Sequence, residues 1–525
     1  MRRVLLRVTA CLAALLAVSC AARLARPPEE APRPRRVVVI VVDQLRADLV
    51  DRVEMPNVRR LRARGAWFDD AIVGHMSAKT VVSHAVLTHG VLPKRLGWAD
   101  DQFRDARAVL GTAGAIWVSG RLGLEQMKKL LPDDLPTIAS AFPGRRLAVG
   151  QKGYAANSMA GHDADVVVTM SRSRERPGIL APAGLAVPPY LDTDRFRVDA
   201  TATHGTEEVP SSLGGNRYVP GDDPERAGGD LWVADVAVAF MEREEWGAVL
   251  VALGGVDKVG HMFGADADLE RPNPTKIRFE DALKTADAAI GKILAHLDAK
   301  GLSDETLVVL TADHGALFAK NHRARWVKGV AGYDTQWGVF ANAEPSLDPQ
   351  PEIAPLVETG AVQATSTDTA LRIWVKPGHP AIPALEERLR AAPGVVAVFA
   401  REGDRYVARH TAWDRLPPEE RAFQERHAQR LLDTMASETS ADLIGLLDGE
   451  TSYGTLGEHG GTQRAVQRIP ILFAGPGVKP GRFRGDARLV DVAPTVWRLA
   501  GKEPPRGLDG SPLCAAIAAG CGSGR

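Results

Sequence analysis

The chain has 525 residues, 45% hydrophobic and 25% charged, and its 65 Lys and Arg balance 65 Asp and Glu for a formal net charge of zero. That length exceeds one average domain, so one large core with insertions, or two domains, is expected. The balanced charge excludes a general nucleic-acid binder, which carries a basic excess.

Arg2, Arg3 and Arg7 precede an apolar run, Ala10 to Val18, that ends at Ser19-Cys20. A positive start, a short apolar stretch and small residues predict an export signal over residues 1–20, too short to span a bilayer. Leu16-Ala17-Val18-Ser19-Cys20 resembles a bacterial lipobox. It implies a lipid on Cys20, membrane anchoring, and a periplasmic or outer-membrane lipoprotein; cleavage without a lipid is the alternative. Residues 21–35, rich in Pro, Arg and Ala, read as a flexible linker. Of the four cysteines, Cys11 and Cys20 fall in the signal. Cys514 and Cys521 remain to close a small terminal loop in an oxidising compartment, and no CxxC pattern is present.

Short apolar runs, each closed by a polar or Gly-rich turn, indicate the fold class. Val37 to Val42 leads into Asp43, Ala248 to Leu253 into Gly254-Gly255-Val256-Asp257, and Thr306 to Leu310 into Thr311-Ala312-Asp313-His314. Ile469 to Ala474 is closed by Gly475-Pro476-Gly477. Such runs suit strands buried on both faces, the parallel-sheet pattern. Leu283, Ala286, Ile290, Ile293 and Leu297 share one helical face with Gly301 as the stop, and Asp491 to Ala500 reads as a helix capped by Asp491.

Alternating strands and helices predict an α/β fold, a doubly wound, mostly parallel sheet flanked by helices, with ligands at the carboxyl ends of its strands. Residues 36–345 form the first part of this core, with an elaboration over about 100–245 that holds Pro220-Gly221-Asp222-Asp223-Pro224. Residues 346–445 read as an inserted small α/β subdomain, marked by Leu371 to Val375, a helical Pro383 to Ala392 and Val395 to Phe399. Residues 446–525 complete the core.

The candidate chemistry sits at these strand ends. Asp257 and His261, four residues apart after a strand, can converge on one cation, although the pair alone is a weak signal. Asp313-His314-Gly315 is stronger, because burying two adjacent polar groups demands a partner; an Asp cap beside a satisfied histidine is the bland alternative. Gly457-Glu458-His459-Gly460-Gly461 adds a third histidine in a Gly-rich loop. With Asp43 these make three Asp and three His, a mixed nitrogen and oxygen set that suits zinc, whereas magnesium favours oxygen. One zinc takes about four ligands, so six such groups and a hydroxyl point to two ions per chain. Lys79 to Gly90 reads as a helix opening at Thr80. A threonine there is ordinarily an N-cap, but beside divalent cations its hydroxyl becomes a candidate nucleophile, with Ser77 and Ser83 as rivals.

The order and wording of these segments resemble the alkaline phosphatase superfamily, in its branch of type I phosphodiesterases, nucleotide pyrophosphatases and related Thr-dependent phosphomonoesterases. "VVVIVVDQLRADL" is similar to the family's opening strand, whose Asp, here Asp43, binds metal. "KTVVSHAVLTHG" is similar to its nucleophile helix and selects Thr80. "GGVDKVGHMFG" implies Asp257 and His261 on one zinc, completed by His459 of "GEHGG". "LTADHG" implies Asp313 and His314 on the other, with Asp43 and Thr80. "LVDVAPTVWRLAG" resembles the closing helix. With the ligand count filled, His84, His89 and His162 are expected to be structural.

Two departures bear on substrate. Relatives commonly carry H-G-I-x-G-N, whose Asn donates to a phosphoryl oxygen; here Leu96-Gly97-Trp98-Ala99-Asp100-Asp101 puts Asp101 there. An ionised Asp101 repels phosphate, so it is protonated, turned away, or tied to a different substrate preference. The Thr-type monoesterases carry K-x-R; here Lys152 is kept and Tyr154 stands at the Arg position. A lysine on terminal phosphoryl oxygens favours monoesters, and loss of the bidentate Arg weakens that preference.

The resemblance therefore implies an exported, zinc-dependent phosphoric ester hydrolase acting on a small-molecule phosphate ester through a phosphothreonine, leaning to monoesters. A phosphodiesterase or nucleotide pyrophosphatase is the alternative. A non-catalytic lipoprotein binding metal or phosphate is the alternative of another class. A sulfatase is disfavoured, because Thr80-Val81-Val82-Ser83-His84 replaces the C/S-x-P-x-R that forms its nucleophile.

Overall fold

The computed structural model describes residues 32–172, 177–193, 196, 229–263, 279–322, 354–379, 382–454 and 457–521. The export signal, Cys20 and Pro220 to Pro224 lie outside the described residues. Among those described, no helix is long and apolar enough to cross a membrane.

The uninterrupted apolar runs become the centre of a nine-stranded sheet. Its strands in chain order are β1 (Arg36–Val42), β2 (Ala66–Phe68), β3 (Arg145–Gly150), β4 (Val166–Arg172), β5 (Pro177–Leu180), β6 (Trp246–Leu253) and β7 (Thr306–Thr311). A second sheet of five holds β8 (Val362–Thr367), β9 (Ala370–Val375), β10 (Val395–Glu402), β11 (Arg405–Thr411) and β12 (Leu443–Leu447). The main sheet is completed by β13 (Ile471–Ala474) and β14 (Gly481–Phe483), and its spatial order is β14-β2-β13-β7-β1-β6-β3-β4-β5.

Strand β1 lies in the middle, parallel to β6 on one side and to β7 on the other. Val37 to Val42 are wholly buried, and six such side chains contribute roughly 10 kcal/mol of apolar transfer free energy. The register sets Val42 opposite Leu253 and Val41 opposite Thr311, so the three strands finish level with one another. Asp43, the segment leading to Asp257, and Asp313-His314 therefore leave the sheet along one rim.

Three features depart from the sequence expectations. Residues 100–245, read as an elaboration, supply β3, β4 and β5 to the main sheet, with β3 parallel to β6 and to β4. Their apolar stretches are short, and β3 opens on the polar Arg145-Arg146. The run at Ile469 to Ala474 pairs antiparallel with both β7 and β2. Pro470 has no N–H to give and contributes its carbonyl to Thr311 Oγ1 at 2.8 Å, so the strand begins at Ile471. Asp491 makes no side-chain cap bond to the helix Val492–Leu499; its carboxylate accepts from the backbone N–H groups of Arg488 and Ser511 instead.

Helices cover the main sheet. Those the site depends on are α1 (Thr80–His89), closed by left-handed Gly90, then α2 (Gly153–Ala160), α3 (Gly229–Arg243), α4 (Gly255–Phe263) and α5 (Phe279–Ala299). Leu283, Ala286, Ile290, Ile293 and Leu297 form the buried stripe of α5, and Gly301 follows at φ +67°. The second sheet is antiparallel throughout, in the order β8-β9-β12-β10-β11, with the helix Ile382–Ala391 between β9 and β10. Cys514 and Cys521 are joined as a disulfide.

Candidate active site and metal centre

All six candidate ligands meet at the rim, in two triangles of donor atoms. In the first, Asp257 Oδ1 lies 3.1 Å from His261 Nε2 and 3.5 Å from His459 Nε2, and the two imidazole nitrogens are 3.2 Å apart. In the second, His314 Nε2 lies 3.4 Å from Asp43 Oδ1 and 3.3 Å from Asp313 Oδ2. Thr80 Oγ1 stands 3.5 Å from the same His314 Nε2. Donors about 2.0–2.1 Å from a tetrahedral zinc are separated by about 3.3–3.4 Å, the size of these edges.

Local structure explains the placement. Asp257 and His261 sit one turn apart on α4, which starts directly after β6, so both side chains face the same way. Asp313-His314 follow β7 after the single residue Ala312. Thr80 is the first residue of α1, where unpaired backbone N–H groups and the helix dipole favour a phosphoryl oxygen. His314 Nδ1 donates to the Gly315 carbonyl at 3.0 Å and His459 Nδ1 to the Ala78 carbonyl at 3.1 Å. Each bond commits the Nδ1 proton and turns the Nε2 lone pair toward the centre.

Electrostatics also favours a bound cation. Asp43 Oδ1 and Asp313 Oδ2 are buried and accept no hydrogen bond. Burial, with Asp257 and Asp313 alongside, pushes the Asp43 carboxyl up to about 7. Burial alone would also raise Asp257, but His261 and Lys152 beside it hold that carboxyl well below the usual range. Burial, reinforced by His314, keeps His459 far below the ordinary imidazole value, in the neutral form that ligation needs. Three carboxylates crowded out of water are stable only with positive charge among them, so this donor set fits metal.

The substrate candidates fall close by. Lys152 is buried, and its ammonium lies 2.5 Å from Asp43 Oδ2 and 2.5 Å from Asp257 Oδ2, bridging one carboxylate of each triangle. Burial works against its charge, but Asp257 and Asp43 raise it well above the ordinary lysine value. Tyr154, in the first turn of α2, has its ring centroid 6.0 Å from that ammonium. Asp101 accepts from Ser119 Oγ at 3.2 Å, and burial raises its carboxyl against the opposing pull of Lys79. His84 and His89 are buried and bond through Nδ1 to carbonyls of their own helix, whereas His162 is exposed.

Sequence reasoning missed two residues here. Gln44, left-handed at φ +69°, offers its N–H to Asp313 Oδ1 at 3.2 Å and its Nε2 to Asp257 Oδ1 at 3.4 Å, touching both triangles. A Cβ at Gly260 would meet Gln44 Oε1 at 2.0 Å, so the glycine of Asp257-Lys258-Val259-Gly260-His261 makes room for it. Glu458 Oε1 accepts from His459 N at 3.1 Å and lies 4.0 Å from His261 Nδ1, within ligating reach of both histidines. The available signals were position alone: Gln44 follows Asp43, and Glu458 precedes His459.

Comparison with known proteins agrees with this geometry. A family profile described as type I phosphodiesterase / nucleotide pyrophosphatase matches residues 37–345. A protein named calcium-transporting ATPase from Myroides odoratus is 22% identical over 93% of this chain and 96% of its own length. Alkaline phosphatase PafA from Elizabethkingia meningoseptica is 21% identical over 93% and 95%. The solved structure of wild-type PafA superposes with a TM-score of 0.64 at 17% identity, covering 93% of this chain and all of that one. Murine ectonucleotide pyrophosphatase / phosphodiesterase 5 gives 0.52 at 14% identity, covering 90% and 96%. The chain belongs to the type I phosphodiesterase / nucleotide pyrophosphatase family, within the alkaline phosphatase superfamily of phosphoric ester hydrolases.

Proposed function

We propose that the chain is an exported, two-zinc phosphatase in which Thr80 is the nucleophile, acting on small phosphate monoesters. The observation that carries this reading is the pair of donor triangles, with five edges of 3.1 to 3.5 Å, one of which includes His314 Nε2, 3.5 Å from the Thr80 hydroxyl. Asp257, His261 and His459 would hold one ion, and Asp43, Asp313, His314 and Thr80 the other. Bound zinc supplies positive charge that favours an ionised hydroxyl near neutral pH and offsets charge gathering on the phosphoryl group.

In the proposed reaction Thr80 Oγ1 forms a bond to phosphorus while the bond to the leaving alcohol breaks, giving phosphothreonine. Water then displaces Thr80, releasing phosphate. The N–H groups opening α1 orient the phosphoryl oxygens, and Lys152, bridging the two carboxylates, supplies an ammonium at the same rim. Lys152 and the relative named alkaline phosphatase support monoesters.

Diester hydrolysis is the second reading. Tyr154 in place of a bidentate Arg and Asp101 in place of a neutral donor both weaken the site for a dianion, and a diester carries one charge fewer. A non-catalytic metal- or phosphate-binding lipoprotein is the reading of another class, and it predicts no phosphothreonine.

The deciding experiment compares an aryl phosphomonoester, an aryl phosphodiester and an aryl sulfate on zinc-loaded protein, with rapid acid quench to trap the phosphoenzyme. Metal-independent turnover, or full activity in Thr80→Ala, overturns the proposal. Lipid attachment at Cys20 is read from the mass of the N-terminal peptide and from detergent-phase partition, with Cys20→Ala as the control.

A further inference from the structure

Lys79, the residue directly before Thr80, ends in a closed set of charges outside the metal triangles. Its ammonium lies 2.8 Å from Asp368 Oδ2 and 3.2 Å from Asp100 Oδ1. Arg372 Nη1 donates to both Asp368 oxygens at 2.8 Å, its Nε pairs with Asp100 Oδ2, and its Nη2 donates to the Gly460 carbonyl. The four side chains are only 0 to 8% exposed. Two cations face two carboxylates, with the Asp101 carboxyl acting on both cations from nearby.

The members come from different parts of the fold. Asp368 lies in the turn between β8 and β9, and Arg372 lies within β9, so the second sheet provides both. Lys79 opens the helix that carries Thr80, and Gly460 follows His459 in the chain. The contact is tight: a Cβ at Gly460, where φ is +105°, would come within 2.7 Å of Lys79 Cε. The same turn is held again by Tyr453 N to the Asp368 carbonyl at 2.8 Å and Gln463 Nε2 to the Thr369 carbonyl at 2.7 Å. Met76 and Ala99, from the segments around α1, are buried in the core of the second sheet.

Such a group is an unusual way to attach a subdomain. Burying four charges costs desolvation that a packed apolar contact avoids, and its distinctive return is direction, because a guanidinium fork accepts only certain orientations. Here the direction is imposed on the Gly460 carbonyl, next to His459, and on the ammonium of Lys79, the residue before Thr80. We propose that Asp368 and Arg372 are positioning residues: through Lys79 and Gly460, the second sheet sets where Thr80 and His459 stand relative to each other. The inference rests on the reading of Thr80 as nucleophile and His459 as ligand.

The test uses the full zinc-loaded chain and the charge-neutral double variant Asp368→Asn/Arg372→Gln, with Asp442→Asn as control. Asp442, just ahead of β12, pairs with Arg401 of β10 and with Arg104 of the separate short strand Gln102–Asp105, and takes no part in the group around Lys79. Thermal unfolding, kcat and KM on an aryl phosphate, and amide hydrogen exchange over 76–84 and 457–463 are measured for each. In the double variant kcat should fall about 10- to 100-fold with KM within about threefold, as expected for a displaced reacting group. Exchange over both segments should rise at least about tenfold, the sign of local loosening. Asp442→Asn should lower the melting temperature yet leave kcat and those amides unchanged.

A folded double variant with wild-type kcat and exchange overturns the proposal, as does an equal kcat loss in Asp442→Asn. If the double variant does not fold, Arg372→Lys, which keeps the charge and loses the fork, decides on the same readouts. Should the wild-type chain hydrolyse no phosphate ester, the functional reading fails, and the exchange measurements alone still decide the positioning role.

Discussion

The imidazole rings of His314 and His459 stack face to face, with centroids 3.6 Å apart and planes inclined by 16°. One ring follows β7 and the other comes from the loop ahead of β13, and each belongs to a different donor triangle. The stack therefore fixes the spacing of the two triangles without a shared ligand. Removing a ligand from one triangle should leave the other able to bind. Asp257→Asn or His261→Ala is expected to lower zinc from two ions per chain to one, and Asp313→Asn to do the same from the other side. Elemental analysis of gel-filtered protein checks this, and a loss of both ions from any one substitution would contradict independent triangles.

Thr80→Ala should reduce kcat on an aryl phosphate by at least roughly 10³-fold, since it deletes the group that bonds to phosphorus. Thr80→Ser keeps a hydroxyl at the same helix position and should retain measurable turnover. Because Asp43, Asp313 and His314 remain for the second ion in both variants, zinc content should fall less than it does in Asp313→Asn. Steady-state kinetics and metal analysis on the same preparations separate loss of the nucleophile from loss of the ions.

Asp101→Asn restores an uncharged donor where the carboxyl now sits. Burial raises the Asp101 carboxyl, and Lys79 only partly offsets this. As pH rises the wild-type side chain ionises and repels phosphate, whereas the amide does not. The variant should therefore raise kcat/KM for the monoester by about tenfold, on the scale of one lost charge repulsion, with the advantage growing as that carboxyl ionises. Steady-state kinetics over a pH series read the result directly; an advantage that shrinks as pH rises would contradict it.

Much of this architecture could be read directly from the sequence. Val37 to Val42, Trp246 to Leu253 and Thr306 to Thr311 are buried on both faces, so nothing polar interrupts them and their strand ends are unmistakable. The convergence of Asp43, Asp257, Asp313 and His314 at those ends was legible for the same reason. Strands β3 to β5 were harder to find because they lie toward one edge of the sheet, where Arg145 is exposed and β5 begins at a proline. The destination of Lys152 was hidden too, because a four-carbon stem lets an ammonium reach any of several carboxylates. The pairing of Lys79 with Asp368 joins segments far apart in the chain and has no local signature.

Asp230, at the start of α3, accepts from Gln151 Nε2 at 3.1 Å and from Gly255 N at 3.0 Å. Burial, with Asp43 as a further cause, raises its carboxyl to about 7. The folded chain keeps this proton after the unfolded chain has lost it, so stability from this group falls as pH rises from about 4 to about 7. Above that window both states are ionised and the loss is complete. Asp230→Asn imitates the protonated form and should gain on the wild type across the window by on the order of 2 to 4 kcal/mol. Urea unfolding of both proteins in chelator at pH 4.5, 6 and 7.5 checks the sign; a gap that narrows with rising pH would refute it.

The reversed direction of β13 has a consequence for the inserted sheet. A strand parallel to β7 would begin at the far end of the sheet, about 13 Å away for four residues. Because β13 runs the other way, chain that leaves β7 and chain that arrives at β13 share the rim beside the donor triangles. A segment of any length spliced between them departs and returns at the mouth of the active site. Exchanging that segment for another would remodel the approach to the donor triangles while leaving the scaffold beneath intact.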